Sequence, residues 1–255
     1  RFTEERWEHL RLAFGRPPTP GPARPPSLTT LAKMYHTDKA GTHKYTQHYE
    51  RHLAHLCEES FTFLEIGIGP NTRKRQAGAS LRMWRDFFPA ARIVGLDIFE
   101  RIPGPEDRIT PYLGSQVDPE VLDRVFADFP DIKFILDDGS HRPEHIRETF
   151  RLLFDRLPAD GIYIIEDTQT SYWPRWGGSL DRNDPTTTMS LVKDLLDGLN
   201  FEEFLDEDYE PTTTDLTVKA IHCFHNLVII EKGDNREGTN KRKASGHDFT
   251  KPSTA

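Results

Sequence analysis

Two short stretches of this 255-residue chain concentrate groups that could do chemistry. An apolar run, IKFILDD, ends in Asp137-Asp138-Gly139-Ser140-His141, and a second, GIYIIED, ends in Glu166-Asp167. If the two runs are neighbouring strands, four carboxylates meet at one place and repel unless something neutralises them. A divalent cation is the simplest remedy, and hard oxygen donors favour magnesium or a similar ion that keeps positions open. His141 stands where it could take the proton of a hydroxyl bound there, because coordination lowers the hydroxyl's pKa and a nearby imidazole accepts the proton during attack. Plainer roles stay open. Asp137 and Asp138 could simply cap the following helix. His141 and His145, four apart, could share a helix face as a zinc pair, although no third soft ligand is evident.

Upstream, Glu65-Ile66-Gly67-Ile68-Gly69-Pro70 follows another apolar run, and Asp97 ends the next, after Val94-Gly95-Leu96. Gly67 and Gly69 let the backbone approach a ligand, Glu65 could hold an amine or hydroxyl, and Asp97 suits a ribose diol. The spacing is E-x-G-x-G rather than G-x-G-x-x-G, which disfavours a nicotinamide cofactor. Past Asp167, a Gly- and Pro-containing loop carries Tyr172, Trp173 and Trp176. Their faces would make platforms for a sugar or a large apolar scaffold, or would pin the loop to the body. Before the first strand, Tyr35, His36, Tyr45, His48 and Tyr49 suggest a segment folding over the pocket.

The elements that must position these groups alternate. Strands are predicted at 61–68, 91–98, 108–114, 132–138, 161–167, 216–225 and 226–232, with helices at 78–88, 118–129, 142–157 and 188–200. The central runs are continuously apolar, as in strands covered on both faces. The last two strands meet at His225-Asn226 with no room for a crossover and must form an antiparallel hairpin. The expected fold is therefore α/β: a doubly wound, mostly parallel seven-stranded sheet with an antiparallel C-terminal hairpin, the Rossmann-like arrangement of class I methyltransferases. Residues 1–26 read as an amphipathic helix (3–14) and a Pro-rich linker, 27–232 as the sheet domain, and 233–255 as a polar tail, ordered only if something holds it. The loop from Asn71 to Ala77 is basic for no evident reason.

Composition narrows the class. Hydrophobic residues are 36% and charged residues 29%, and no stretch reaches the roughly 18 apolar residues of a membrane span. RFTEERWEHLRLAF is not expected to be a secretory signal. The net charge of −8 argues against a nucleic-acid partner. Cys57 and Cys223 make no disulfide framework, so a reducing, cytoplasmic setting is expected.

The motifs H-T-D-K (36–39), Y-T-Q-H-Y-E (45–50), L-E-I-G-I-G (64–69), S-L-R-M-W-R-D-F-F-P (80–89), G-L-D-I (95–98), D-D-G-S-H (137–141), I-E-D (165–167) and Y-W-P (172–174) together resemble the macrolide and antibiotic sugar O-methyltransferases. The resemblance spans about residues 36 to 178. It implies transfer of a methyl group from S-adenosyl-L-methionine to a hydroxyl of a deoxysugar on a glycosylated natural product, assisted by Mg2+. By the same resemblance Asp138, Glu166 and Asp167 surround magnesium and His141 is the general base. Glu65, Gly67, Asp97 and Gln116 contact the methyl donor, although G-S-Q-V-D (114–118) stands where the family usually has G-D-Q. Gly69 and Asp137 join the expected cofactor site, Asp138 the catalytic pair, and Tyr172, Trp173 and Trp176 the substrate site. The expected partner is a small-molecule glycoside, with no nucleic acid or membrane, and the chain is expected to be a homo-oligomer. The alternatives are a metal-dependent O-methyltransferase of catechol-like phenols, a nicotinamide-dependent reductase, and a non-catalytic binding module on the same fold.

Overall fold

The computed structural model describes residues 26–239 apart from 42, 70–76 and 103. The expected helix at 3–14, nearly all of the Pro-rich linker, the basic loop at 71–76 and the tail from 240 onward lie outside these residues. Ahead of the sheet stand helices α1 (Leu28–Tyr35) and α2 (Thr46–Leu53). The alternating part follows as β1 (Thr62–Ile66), α3 (Ala79–Phe87), β2 (Arg92–Asp97), β3 (Ile109–Leu113), α4 (Pro119–Asp128), β4 (Ile132–Asp137), α5 (Pro143–Leu153), β5 (Ile162–Glu166) and α6 (Thr188–Gly198). A short helix α7 (Thr213–Thr217) leads into β6 (Val218–Phe224) and β7 (Leu227–Lys232).

The strands form a single sheet in the order β3-β2-β1-β4-β5-β7-β6. The first five are parallel, and β7 runs antiparallel to both β5 and β6. Every residue of β1 and β5 is buried, which is why these runs read as continuously apolar rather than alternating. The hairpin pairs Phe224 with Leu227, and Asn226 takes the left-handed conformation (φ 63°) that so tight a reversal demands.

Each face has its own core. On one, α1, α2 and α3 cover the sheet, and Phe63, Trp84, Phe88 and Phe134 stack beneath them. On the other, α4, α5 and α6 pack on Leu64, Val94, Ile135 and Ile165. Local sequence explains the helix starts. Asp118 accepts from the amides of Glu120 and Val121 with Pro119 in the first turn, and Thr187 accepts from that of Ser190.

One expectation changes. Residues 213–217 are helical, not part of the strand expected at 216–225, because Thr212 and Asp215 close a reciprocal capping box ahead of Val218. The chain just past Lys232 is held in place: the Asn235 side chain is buried and donates to the carbonyls of Asp215, Leu199 and Gly198. No helix among the described residues is long and apolar enough to cross a membrane.

Candidate active site

The carboxyl ends of β1 to β5 open into a cavity of about 930 Å³. That is enough for a nucleoside-sized molecule with an acceptor beside it. Such crevices form where crossover connections leave a parallel sheet on opposite faces. Here β1 and β4 flank that point, and Gly67, Gly69, Asp138 and His141 all line the opening.

Gly67 has φ +84°, and a Cβ there would lie 2.0 Å from the Asp138 carbonyl oxygen. The β1 turn and the β4 end are thus in backbone contact, which only glycine permits. Gly69, at φ +149°, also passes close to the chain, and a Cβ there would lie 3.0 Å from Ala77 Cα. Asp97 lines the cavity, with Oδ2 accepting from the Ile68 amide and from Arg101 Nε, and Oδ1 from the Phe99 amide. Beside it, Ile98 and Phe99 are 60% and 51% exposed and also form cavity wall. Large apolar side chains left open at a strand end suit a flat heterocycle, a signal that the sequence carries only as two more apolar residues after a strand. Gln116 lines the cavity too, with Oε1 accepting from the Ser140 amide and Nε2 donating to Asp137 and Thr149.

The acidic group divides in two. Side chains of consecutive residues in extended chain point to opposite sides. Asp137 consequently turns into the α4–α5 side, buried, where it accepts from Gln116, Tyr163 and the Gly139 amide. Burial pushes its carboxyl up to about 6. It does not join the other three carboxylates and is not part of the cavity wall. Glu65 is likewise buried below the wall, 3.4 Å from Lys39 Nζ, rather than lining it.

A cation from the protein stands among the remaining acids. Lys39, 1% exposed, places Nζ 2.7 Å from Asp138 Oδ2 and 2.7 Å from Glu166 Oε1. Burial works against its charge, but Asp138, Glu166 and Glu65 hold its pKa well above that of an ordinary lysine. Burial in turn pushes the carboxyls of Asp138 and Glu166 up, with Lys39 pulling both back. The neutralisation that the sequence assigned to a metal is therefore partly done by Lys39. The Tyr49 hydroxyl also donates to Glu166 Oε1, so the approach to that oxygen is already taken from two sides.

Glu166 lines the cavity with its Oε1 so engaged, and beside it Asp138, His141 and Asp167 converge. One ligand atom from each of the three lies within 4.8 Å of the others. His141 Nε2 is 3.8 Å from Asp167 Oδ2, while its Nδ1 is buried with no hydrogen-bond partner. Asp167 Oδ1 accepts from the Tyr45 hydroxyl at 2.8 Å, with His43 Nδ1 at 3.5 Å. Both His141 (φ 56°) and Asp167 (φ 55°) are left-handed residues without being glycine, as is His36 in the same wall. Such positions cost of order 1–3 kcal/mol each. The left-handed turn at His141 also places it ahead of α5. His141 and His145 are thus not partners on one helix face, and His145 Nδ1 pairs with Ser140 Oγ instead. Nor do Asp137 and Asp138 cap α5, whose N-cap is Arg142.

The aromatic loop is not pinned inward. Tyr172, Trp173 and Trp176 are all more than a third exposed. Of these only Trp176 lines the cavity, its ring tilted 60° to that of His141 with centroids 6.0 Å apart. The entry segment does fold across the sheet end: His36, Thr37, Asp38, Lys39, Gly41 and His43 form one wall, and the Tyr45 and Tyr49 hydroxyls reach the carboxylates at the end of β5.

Fold and strand-end groups together have the arrangement of a class I methyltransferase, and comparison with known proteins agrees. No family model matches the chain. It is 38% identical over 219 residues to mycinamicin VI 2''-O-methyltransferase of Micromonospora griseorubida, covering 85% of this chain and 55% of that protein. It is 41% identical over 216 residues to demethylmacrocin O-methyltransferase of Streptomyces fradiae, covering 84% and 55%. Among solved structures, the MycE methyltransferase of the mycinamycin pathway, in complex with Mg, SAH and mycinamycin VI, superposes with a TM-score of 0.81 at 36% identity. That match covers 89% of this chain and 58% of the other. The chain thus spans little more than half the length of the curated relatives it matches, and throughout that span it resembles sugar O-methyltransferases.

Proposed function

We propose that this chain transfers the methyl group of S-adenosyl-L-methionine to a hydroxyl of a deoxysugar on a glycosylated natural product, with a divalent cation, Mg2+, at the site. The observation that carries the reading is the meeting of Asp138, His141 and Asp167 at the mouth of a cavity large enough for donor and acceptor. Supporting it, the similar proteins are named as mycinamicin VI 2''-O-methyltransferase and demethylmacrocin O-methyltransferase, and the MycE structure holds Mg, SAH and mycinamycin VI.

The donor set fits the metal. Asp138 and Asp167 offer hard oxygens beside the cavity, and the His141 imidazole next to them, its Nδ1 without a hydrogen-bond partner, is the base such a site needs. Asp138 and Asp167 would hold the ion, with Glu166 beside them in the cavity wall, its Oε1 fixed by Lys39 and Tyr49. When bound, it lowers the pKa of an acceptor hydroxyl and orients it. The protein's own groups do the rest. Gly67 and Gly69 let the donor lie against the backbone, Asp97 with Ile98 and Phe99 takes its nucleoside end, and Trp176 offers a face to the sugar. His141 takes the hydroxyl proton as the oxygen bonds to the methyl carbon. The carbon–sulfur bond breaks with its electron pair staying on sulfur, leaving a neutral thioether. Asp167, 3.8 Å from His141 Nε2, stabilises the imidazolium that results.

We take the acting form to be a cytoplasmic homo-oligomer; light scattering tests the assembly. Mass spectrometry of mixtures containing S-adenosyl-L-methionine and either glycosides or catechols tests the acceptor. A glycoside gaining one methylene unit is expected, and products from catechols alone would overturn the assignment.

A further inference from the structure

At the edge of the sheet away from the cavity, β6 presents His222 and Phe224, two residues apart and so on one face. The register sets His222 against Ile229 and Ala220 against Glu231, making Glu231 a diagonal cross-strand neighbour of His222. Helix α2 crosses this face with His48 and His52, one turn apart. The His48 ring stacks on Phe224 with centroids 3.9 Å apart, and the His52 ring lies 4.2 Å from that of His222.

Three of these side chains converge. His222 Nε2 is 2.8 Å from Glu231 Oε1, His52 Nδ1 is 3.9 Å from the same oxygen, and one ligand atom from each lies within 4.8 Å of the others. A tetrahedral zinc with bonds of about 2.0–2.1 Å keeps its ligand atoms about 3.3 Å apart, so small side-chain rotations would bring this trio onto one ion. The side chains of His52, His222 and Glu231 are 14%, 33% and 38% exposed, leaving a path for entry and a position for water. Two imidazoles with one carboxylate prefer a borderline transition ion to magnesium, the opposite of the oxygen-rich group in the cavity.

We propose that His52, His222 and Glu231 form a second metal site, for zinc or a similar borderline divalent ion, independent of the cavity. An ion there ties α2 to the hairpin. Tyr49 on α2 and Tyr45 at its N-cap hold Glu166 and Asp167, so the site would brace the support of those carboxylates.

Zinc titration by calorimetry, with cobalt absorption as a second readout, tests this on the full chain. A doubly substituted Asp138→Asn, Asp167→Asn protein, disabled in the cavity, is expected to keep one equivalent of zinc and to give visible cobalt bands. Adding His52→Ala or His222→Ala to that background is expected to abolish both. Glu231→Gln, which preserves shape, is expected to weaken binding at least about tenfold, or about 1.4 kcal/mol, and covers the case in which a histidine variant fails to fold. Zinc retained at full stoichiometry without His222, or lost entirely with the cavity acids alone, would overturn the proposal.

Discussion

Replacing Lys39 by Met keeps most of the buried stem but removes the charge that faces Asp138, Glu166 and Glu65. Breaking a buried ion pair by deleting one partner costs about 3–5 kcal/mol, because the other charge is left uncompensated. Here the ammonium stands 2.7 Å from each of two carboxylates, so the upper part of that range applies in metal-free buffer at about pH 8. For a domain of this size each kcal/mol moves the melting temperature by about 2–4 °C, giving a drop of about 10–20 °C. The cost must also depend on pH. Burial raises the folded-state carboxyls, to about 7 for Asp138 and about 8 for Glu166, far above their ordinary values. The folded chain then binds protons that the unfolded chain has released, so the contribution of these two groups to metal-free stability is greatest in acid and is lost as pH rises through these values. Without Lys39 the carboxyls protonate more readily, and the variant's deficit should shrink by more than half on going from about pH 8 to about pH 5. Mg2+ should raise the melting point of the variant more than that of the parent, since the ion meets a more negative site. Differential scanning calorimetry with chelator, and then with Mg2+, measures all three. A variant melting within about 2 °C of the parent at pH 8 without metal would refute the reasoning.

Other outcomes follow from the same geometry. His141→Ala should keep S-adenosylhomocysteine affinity by calorimetry while losing about 10²–10⁴ in turnover. Gly67→Ala should destabilise the chain and abolish donor binding, since its Cβ would overlap the Asp138 carbonyl at 2.0 Å. A full-affinity, stable Gly67→Ala protein would disprove the contact. Trp176→Ala should raise KM for the glycoside up to about tenfold and leave donor affinity unchanged. Because Asp138 must shed its proton to bind a cation, Mg2+ affinity should rise as pH increases through about 7, and a flat profile would count against that ligand.

Much of this was legible in the sequence for one physical reason. A parallel sheet buried on both faces writes its strands as unbroken apolar runs, so the polar residues that end them, Gly67, Asp97, Asp138 and Asp167, announce the ligand side. The hairpin was legible because His225-Asn226 leaves no space for a crossover. What stayed hidden depends on distance or on side-chain direction. Lys39 is 99 residues from Asp138 and 127 from Glu166, and only the packing of the entry segment across the sheet brings them together. Asp137 looked equivalent to Asp138, yet alternation sends it to the opposite core. Composition could not tell which aromatic of the 172–176 loop turns inward, and of Tyr172, Trp173 and Trp176 the structure brings only Trp176 to the cavity. The capping box at Thr212 and Asp215 overrode what read as the start of a strand.

The central claim is that Asp138 and Asp167 present one divalent cation to an acceptor hydroxyl beside His141. Initial rates of methyl transfer to a macrolide glycoside, measured after exhaustive chelation and then across a Mg2+ titration, test it most directly. The account predicts negligible rate in chelator and saturable recovery with Mg2+, with recovery lost in Asp167→Asn. An undiminished rate in excess chelator would contradict it.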